Sequence, residues 1–132
     1  LLDRIDIHIE VPAVPYEELS SKKAGESSSE IRTRVEGARA RQLKRFIELG
    51  HIYCNAHMGS KQIRTFCRVD NEGASILKTA IKRLGLSARA YDRILKVART
   101  IADLDGNESI ESNHISEAVQ YRTLDRDFSM MV

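Results

Sequence analysis

Residues 87–106 read Ser87-Ala-Arg-Ala-Tyr-Asp-Arg-Ile-Leu-Lys-Val-Ala-Arg-Thr-Ile-Ala-Asp-Leu-Asp-Gly106. Apolar side chains recur at Tyr91, Ile94, Leu95, Ala98, Ile101 and Ala102, the three-and-four spacing that lines up one stripe of an α-helix. Ser87 stands where an N-cap hydroxyl accepts from a backbone N–H of the first turn. Gly106 offers the residue that most readily leaves a helix in the left-handed conformation. A helix with one apolar stripe must bury it against a neighbour, and the flanking sequence supplies neighbours of the same kind.

Upstream, Asp70 caps a helix carrying Ile76, Leu77, Ala80, Ile81 and Leu84, stopped by Gly85. Before it Ser60 opens a short helix whose Ile63, Phe66 and Cys67 face inward, and 50–59 is a loop bounded by two glycines. Earlier still, Ser27-Ser28-Ser29-Glu30 offers a Ser-x-x-Glu capping box. Ile31, Val35, Ala38, Gln42, Leu43, Phe46 and Leu49 follow it at helical spacing, with Gly50 expected as a left-handed stop. Downstream, Ser112 starts a last helix with Ile115, Ala118, Val119 and Leu124 expected to be buried. The fold class is therefore mainly α, a helical bundle with short loops. Aromatics are 5% of the chain, Trp is absent and there are two prolines, which disfavours a β-sandwich or barrel.

The N-terminal part differs. Ile5-Asp-Ile-His-Ile-Glu-Val11 alternates strictly and predicts one half-buried β-strand, ended by Pro12 and Pro15. A single strand cannot satisfy its own ladder, so it either pairs with a sheet lying elsewhere or stays unpaired. The chain starts at Leu1 rather than Met, as expected of a piece of something longer. Residues 16–29 turn to Glu, Ser, Lys and Gly without periodicity, a linker. The expected division is 1–15, 16–29 as flexible linker, and 30–128 as the helical domain.

Within 132 residues, Lys and Arg number 21 and Asp and Glu 19, so the chain is no bulk polycation. The charge is segregated: residues 1–30 carry a net −4, residues 31–100 a net +11 and residues 101–132 a net −5. A basic middle between acidic ends can bind phosphates or pair with its own flanks. No apolar run approaches the roughly 20 residues of a membrane span. The two cysteines make no disulfide framework and no signal peptide precedes them, so a reduced, cytoplasmic protein is expected.

The chain contains no Gly-x-x-x-x-Gly-Lys-Ser/Thr, no Gly-x-Gly-x-x-Gly and no Gly-x-Ser-x-Gly. His51, Cys54, His57 and Cys67 carry donors suited to tetrahedral zinc, but they lack a Cys-x-x-Cys hairpin, and Cys67 lies on an apolar stripe. A core thiol with loop histidines, and no metal, is the expectation.

Three stretches resemble one family. Leu1-Leu2-Asp3-Arg4-Ile5-Asp6 before a strand looks like the segment preceding the last core strand of AAA+ ATPases. Ser87-Ala-Arg-Ala-Tyr-Asp-Arg-Ile-Leu95, after Gly85-Leu86, looks like that superfamily's sensor-2 helix. Ile110 to Arg122 resembles the closing helix of its lid. With Asn55-Ala56-x-Met58, the pattern is similar to magnesium-chelatase-like AAA+ ATPases of the ComM/YifB type.

The resemblance implies that residues 1–15 end an AAA+ core and 30–128 form its C-terminal lid, with Glu30 to Leu49 as an extra helix before sensor 2. It implies Arg4 as an arginine finger on the ATP of a neighbouring subunit, and Arg89 as the sensor-2 arginine on nucleotide phosphates. ATP with Mg2+ would be bound only by a full-length parent, within a homo-oligomeric ring, with DNA as a further partner. With Walker A and B absent, the chain alone is expected to be no enzyme. The alternative is a self-standing basic helical module that grips nucleic acid through Arg34, Arg41 and Arg45, near one face of their helix.

Overall fold

The computed structural model describes residues 4–122. Their elements are α1 (Tyr16–Leu19), α2 (Ser28–Arg45), a 3-10 turn (Asn55–His57), α3 (Ser60–Phe66), α4 (Asn71–Leu84), α5 (Ala88–Leu104) and α6 (Ser112–Gln120). The helical bundle expected from the spacing is the fold. Leu1 to Asp3 and the residues after Arg122, Leu124 included, lie outside the described residues.

Helix α5 is the hub, packing on α6, α2, α3 and the 3-10 turn, while α6 also packs on α4. Its own composition makes this possible. Ala90, Ala98 and Ala102 are buried small residues that let neighbouring helices approach, and Ile94, Leu95 and Val97 fill the gaps between them. Phe46, Ile52, Met58, Ile63, Cys67, Leu77, Ile110 and Ile115 complete one contiguous core. The Phe46 ring meets Phe66 edge-on at 5.3 Å between centroids.

The caps follow the local sequence. Ser27 Oγ accepts from the Glu30 N–H at 3.1 Å and Glu30 Oε2 accepts from the Ser27 N–H at 3.4 Å, a complete capping box. Asp70 accepts from the Gly73 N–H at 2.8 Å, and Ser87 from the Ala90 N–H at 3.1 Å. Gly85 at φ 59° and Gly106 at φ 76° end the two central helices.

Three features depart from expectation. Helix α2 stops at Arg45, not Gly50, which has no left-handed φ. Phe46 turns into the core there, and the Leu49 N–H bonds back to the Phe46 carbonyl at 2.8 Å. The first half of α2 also stands clear of the bundle, leaving Ile31, Val35 and Leu43 exposed while Ala38, Gln42 and Phe46 are buried. Within the linker, Tyr16–Leu19 forms one helical turn after Pro15, with no buried residue.

The third departure is the N-terminal run. Ile5 to Val11 forms no strand, and the β-pairing recorded among the described residues is an isolated parallel bridge between Val69 and Ile110. With no neighbouring strand to complete a ladder, the segment lies against the helices instead. Its His8 N–H donates to the Tyr121 carbonyl at 2.7 Å. Its faces are reversed from a core-facing strand: His8 is 7% exposed, whereas Ile7 and Ile9 are 49% and 65% exposed.

Candidate functional site

Arginines define the site, and their surroundings sort them into two classes. The first class is committed to the fold. Arg45, at the end of α2, donates to both carboxylate oxygens of Asp103 at 2.9 and 2.5 Å and to Asn55 Oδ1 at 3.0 Å. Asp103 is fully buried on α5. Asn55 closes the cluster by donating to Asp103 at 2.9 Å and to Thr100 Oγ1 at 3.0 Å. Its backbone N–H donates to Gln42 Oε1 at 2.8 Å. Arg99, one turn before Asp103, reaches it at 3.4 Å and donates to the carbonyls of Glu108 and Asn107 at 2.8 and 2.9 Å. Burial pulls the Arg99 guanidinium below its usual value, while the adjacent Asp103 opposes that shift. This network ties α2, the 3-10 turn and the loop after α5 to a single helix.

Arg34 is committed differently, in an exposed pair with Glu26. Hydrogen bonding to Arg34 holds the Glu26 carboxyl below the usual carboxylate range. The nucleic-acid face expected from Arg34, Arg41 and Arg45 is therefore not three free guanidiniums. Two have internal carboxylate partners, and Arg41 lies close to Gly106, its Nη2 3.4 Å from where a Cβ there would sit.

The second class comprises Arg4 and Arg89. Both are exposed, and neither has an ion pair or hydrogen bond among the described residues. Arg89 is the second residue of α5, whose first turn holds no acidic side chain. A cation there opposes the helix dipole, so its position does nothing for the helix itself. The elements bearing the two arginines meet. Asp6, two residues after Arg4, pairs with Arg93, which follows Arg89 by one helical turn on the same face. Arg122 donates to the Ile5 carbonyl.

The zinc donors do not assemble: among the described residues no group of three or more His, Cys, Asp or Glu could hold a metal ion. His51 and His57 are exposed, while Cys67 is buried and both thiols are free. Burial pushes the Cys67 thiol up to about 11.

The sequence singled out Arg4 and Arg89 but assigned no role to the Asn55–Asp103 cluster. Asp103 sits off the apolar stripe and reads as a solvated helix residue. The one signal was Asn55 within Asn55-Ala56-x-Met58.

Comparison with known proteins adds the family. Residues 25–122 match the family described as magnesium chelatase, subunit ChlI C-terminal. The uncharacterised protein YifB of Escherichia coli is 46% identical over 126 residues, 95% of this chain and 24% of that protein. Competence protein ComM of Haemophilus influenzae is 44% identical over the same shares, and YifB of Salmonella typhimurium 40%. The chain thus spans about a quarter of the length of these relatives. No helix is long and apolar enough to cross a membrane, among the described residues. The chain belongs to the ChlI/ComM-type C-terminal domain family of magnesium-chelatase-like AAA+ proteins.

Proposed function

We propose that this chain is the lid of a longer, ATP-hydrolysing AAA+ motor, lending it two arginines rather than a complete active site. Arg4 is the arginine finger that reaches ATP on a neighbouring subunit, and Arg89 is the sensor-2 arginine on nucleotide phosphates. The observation that carries this is the sorting of arginines. Arg34, Arg45, Arg93 and Arg99 have internal carboxylate partners, whereas Arg4 and Arg89 are exposed and unpaired among the described residues.

A free guanidinium suits both roles. It stays protonated near phosphates, and its fork of donors matches phosphate oxygens. In phosphoryl transfer it stabilises charge spread over the equatorial oxygens of the transferring group, worth roughly 10³–10⁵ in rate. Mg2+ arrives with the nucleotide, held by residues outside this chain. Residues 1–15 are then the end of the core and 16–29 the linker. The family match beginning at residue 25 supports placing the lid after that linker. Fingers acting between subunits require a head-to-tail interface that closes into a ring. The motor works in the cytoplasm, where ATP is available.

The test is Arg4→Ala in the longer protein. ATP binding should stay within a few-fold of wild type while hydrolysis falls by about 10³–10⁵. Unchanged turnover would sink the finger assignment. Arg89→Ala should instead weaken nucleotide binding itself.

A further inference from the structure

The segment around Arg4 has no strand to pair with among the described residues, yet it is held at three successive points. The Ile5 carbonyl accepts from Arg122, the Asp6 carboxylate pairs with Arg93, and the His8 N–H donates to the Tyr121 carbonyl at 2.7 Å. These are polar and directional contacts. Hydrophobic adhesion would have turned the isoleucines inward, whereas Ile5, Ile7 and Ile9 remain exposed and His8 goes in. The anchors on the bundle side come from two helices. Arg93 is on α5, and Tyr121 and Arg122 close α6, with the Arg122 side chain wholly buried.

Stability alone does not explain the arrangement. The Asp6 side chain is half exposed, and an ion pair so placed contributes little to folding. What three anchors within four residues do provide is a fixed register and direction for the chain beside Arg4. Arg93 also stands one turn from Arg89 on the same face of α5, so the finger turn and the sensor-2 arginine share one helix as their mount.

We propose that Asp6 and Arg93, backed by Arg122, are positioning residues that latch the Arg4 turn onto α5, so that Arg4 and Arg89 move as one unit with the lid. This rests on the finger and sensor roles proposed above. A change in nucleotide contacts at Arg89 then displaces Arg4 at the same time, coupling the site a lid senses to the site its finger serves.

Two measurements test it. In the chain itself, amide exchange reports the latch directly. The His8 N–H should be protected in wild type and exchange about tenfold or more faster in Asp6→Asn and Arg93→Gln. In the longer protein the same variants should lower kcat by about 10–100-fold, the scale of a small misplacement of a reacting group. KM for ATP should be nearly unchanged. Arg93→Lys should keep most of the turnover, and the swapped pair Asp6→Arg with Arg93→Asp should recover part of what each single change loses. Unaltered His8 exchange in Asp6→Asn would overturn the latch. So would wild-type turnover in Asp6→Asn and Arg93→Gln while Arg4→Ala abolishes it, an outcome that leaves the finger standing. If Arg4→Ala has no effect, the finger fails and the latch has nothing to position.

Discussion

Asp103 is a single carboxylate facing two guanidiniums in a place water does not reach. It accepts from Arg45 and Asn55 and lies beside Arg99. Removing one partner of a buried ion pair leaves the others charged and unmatched, typically at a cost of about 3–5 kcal/mol. Asp103→Ala should therefore lower unfolding free energy by about that amount in urea titrations. Glu36→Ala, on the exposed side of α2, should stay within about 0.5 kcal/mol. Cys67 makes a pH-dependent counterpart. Its thiol titrates at about 11 in the fold against a model value of 9.0. A raised folded value means that the native state holds the proton more tightly. The contribution is therefore complete below pH 9 and is lost as pH rises toward 11. The loss should amount to about 2–3 kcal/mol. Comparing alkaline unfolding of wild type and Cys67→Ala isolates it, since only wild type should show that component.

Helix ends show how far local chemistry reaches. The Ser27, Asp70 and Ser87 caps and the Gly85 stop were legible, because a cap depends on residues within one turn of each other. Gly50 was not. Whether a glycine ends a helix depends on where the helix is already bent, and Phe46 enters the core four residues earlier. The two glycines should separate in experiment. Gly85→Ala forces a side chain to φ 59° and should cost about 1 kcal/mol. Gly50→Ala has nothing within 4 Å of the added carbon and no left-handed φ, so thermal unfolding should be unchanged or slightly raised. The exposure of Ile31, Val35 and Leu43 was equally illegible, since periodicity locates a stripe without saying whether anything packs on it.

For the molecule as a whole, the bundle followed from five amphipathic patterns whose stripes could only face one another, but the placement of charge did not. A net +11 over residues 31–100 read as a surface that might serve phosphates. The fold spends part of it internally, through Arg45 and Arg99 on Asp103, Arg93 on Asp6 and Arg34 on Glu26. Arg4 and Arg89 were found through their resemblance, while the contact joining their elements spans residues 6 and 93 and is visible only in three dimensions. Fluorescence anisotropy with duplex DNA should show weak binding by the isolated chain, fading steeply with salt. Tight binding would favour the nucleic-acid module instead. The most direct test of the finger is subunit complementation in the longer protein. Arg4→Ala subunits, still able to bind ATP, are mixed with subunits that keep Arg4 but cannot bind ATP. Each population alone should be nearly inactive, and the mixture should regain a substantial fraction of wild-type turnover, because an intact finger then faces an occupied site. A mixture no more active than its separate components would contradict a finger that acts across the subunit interface.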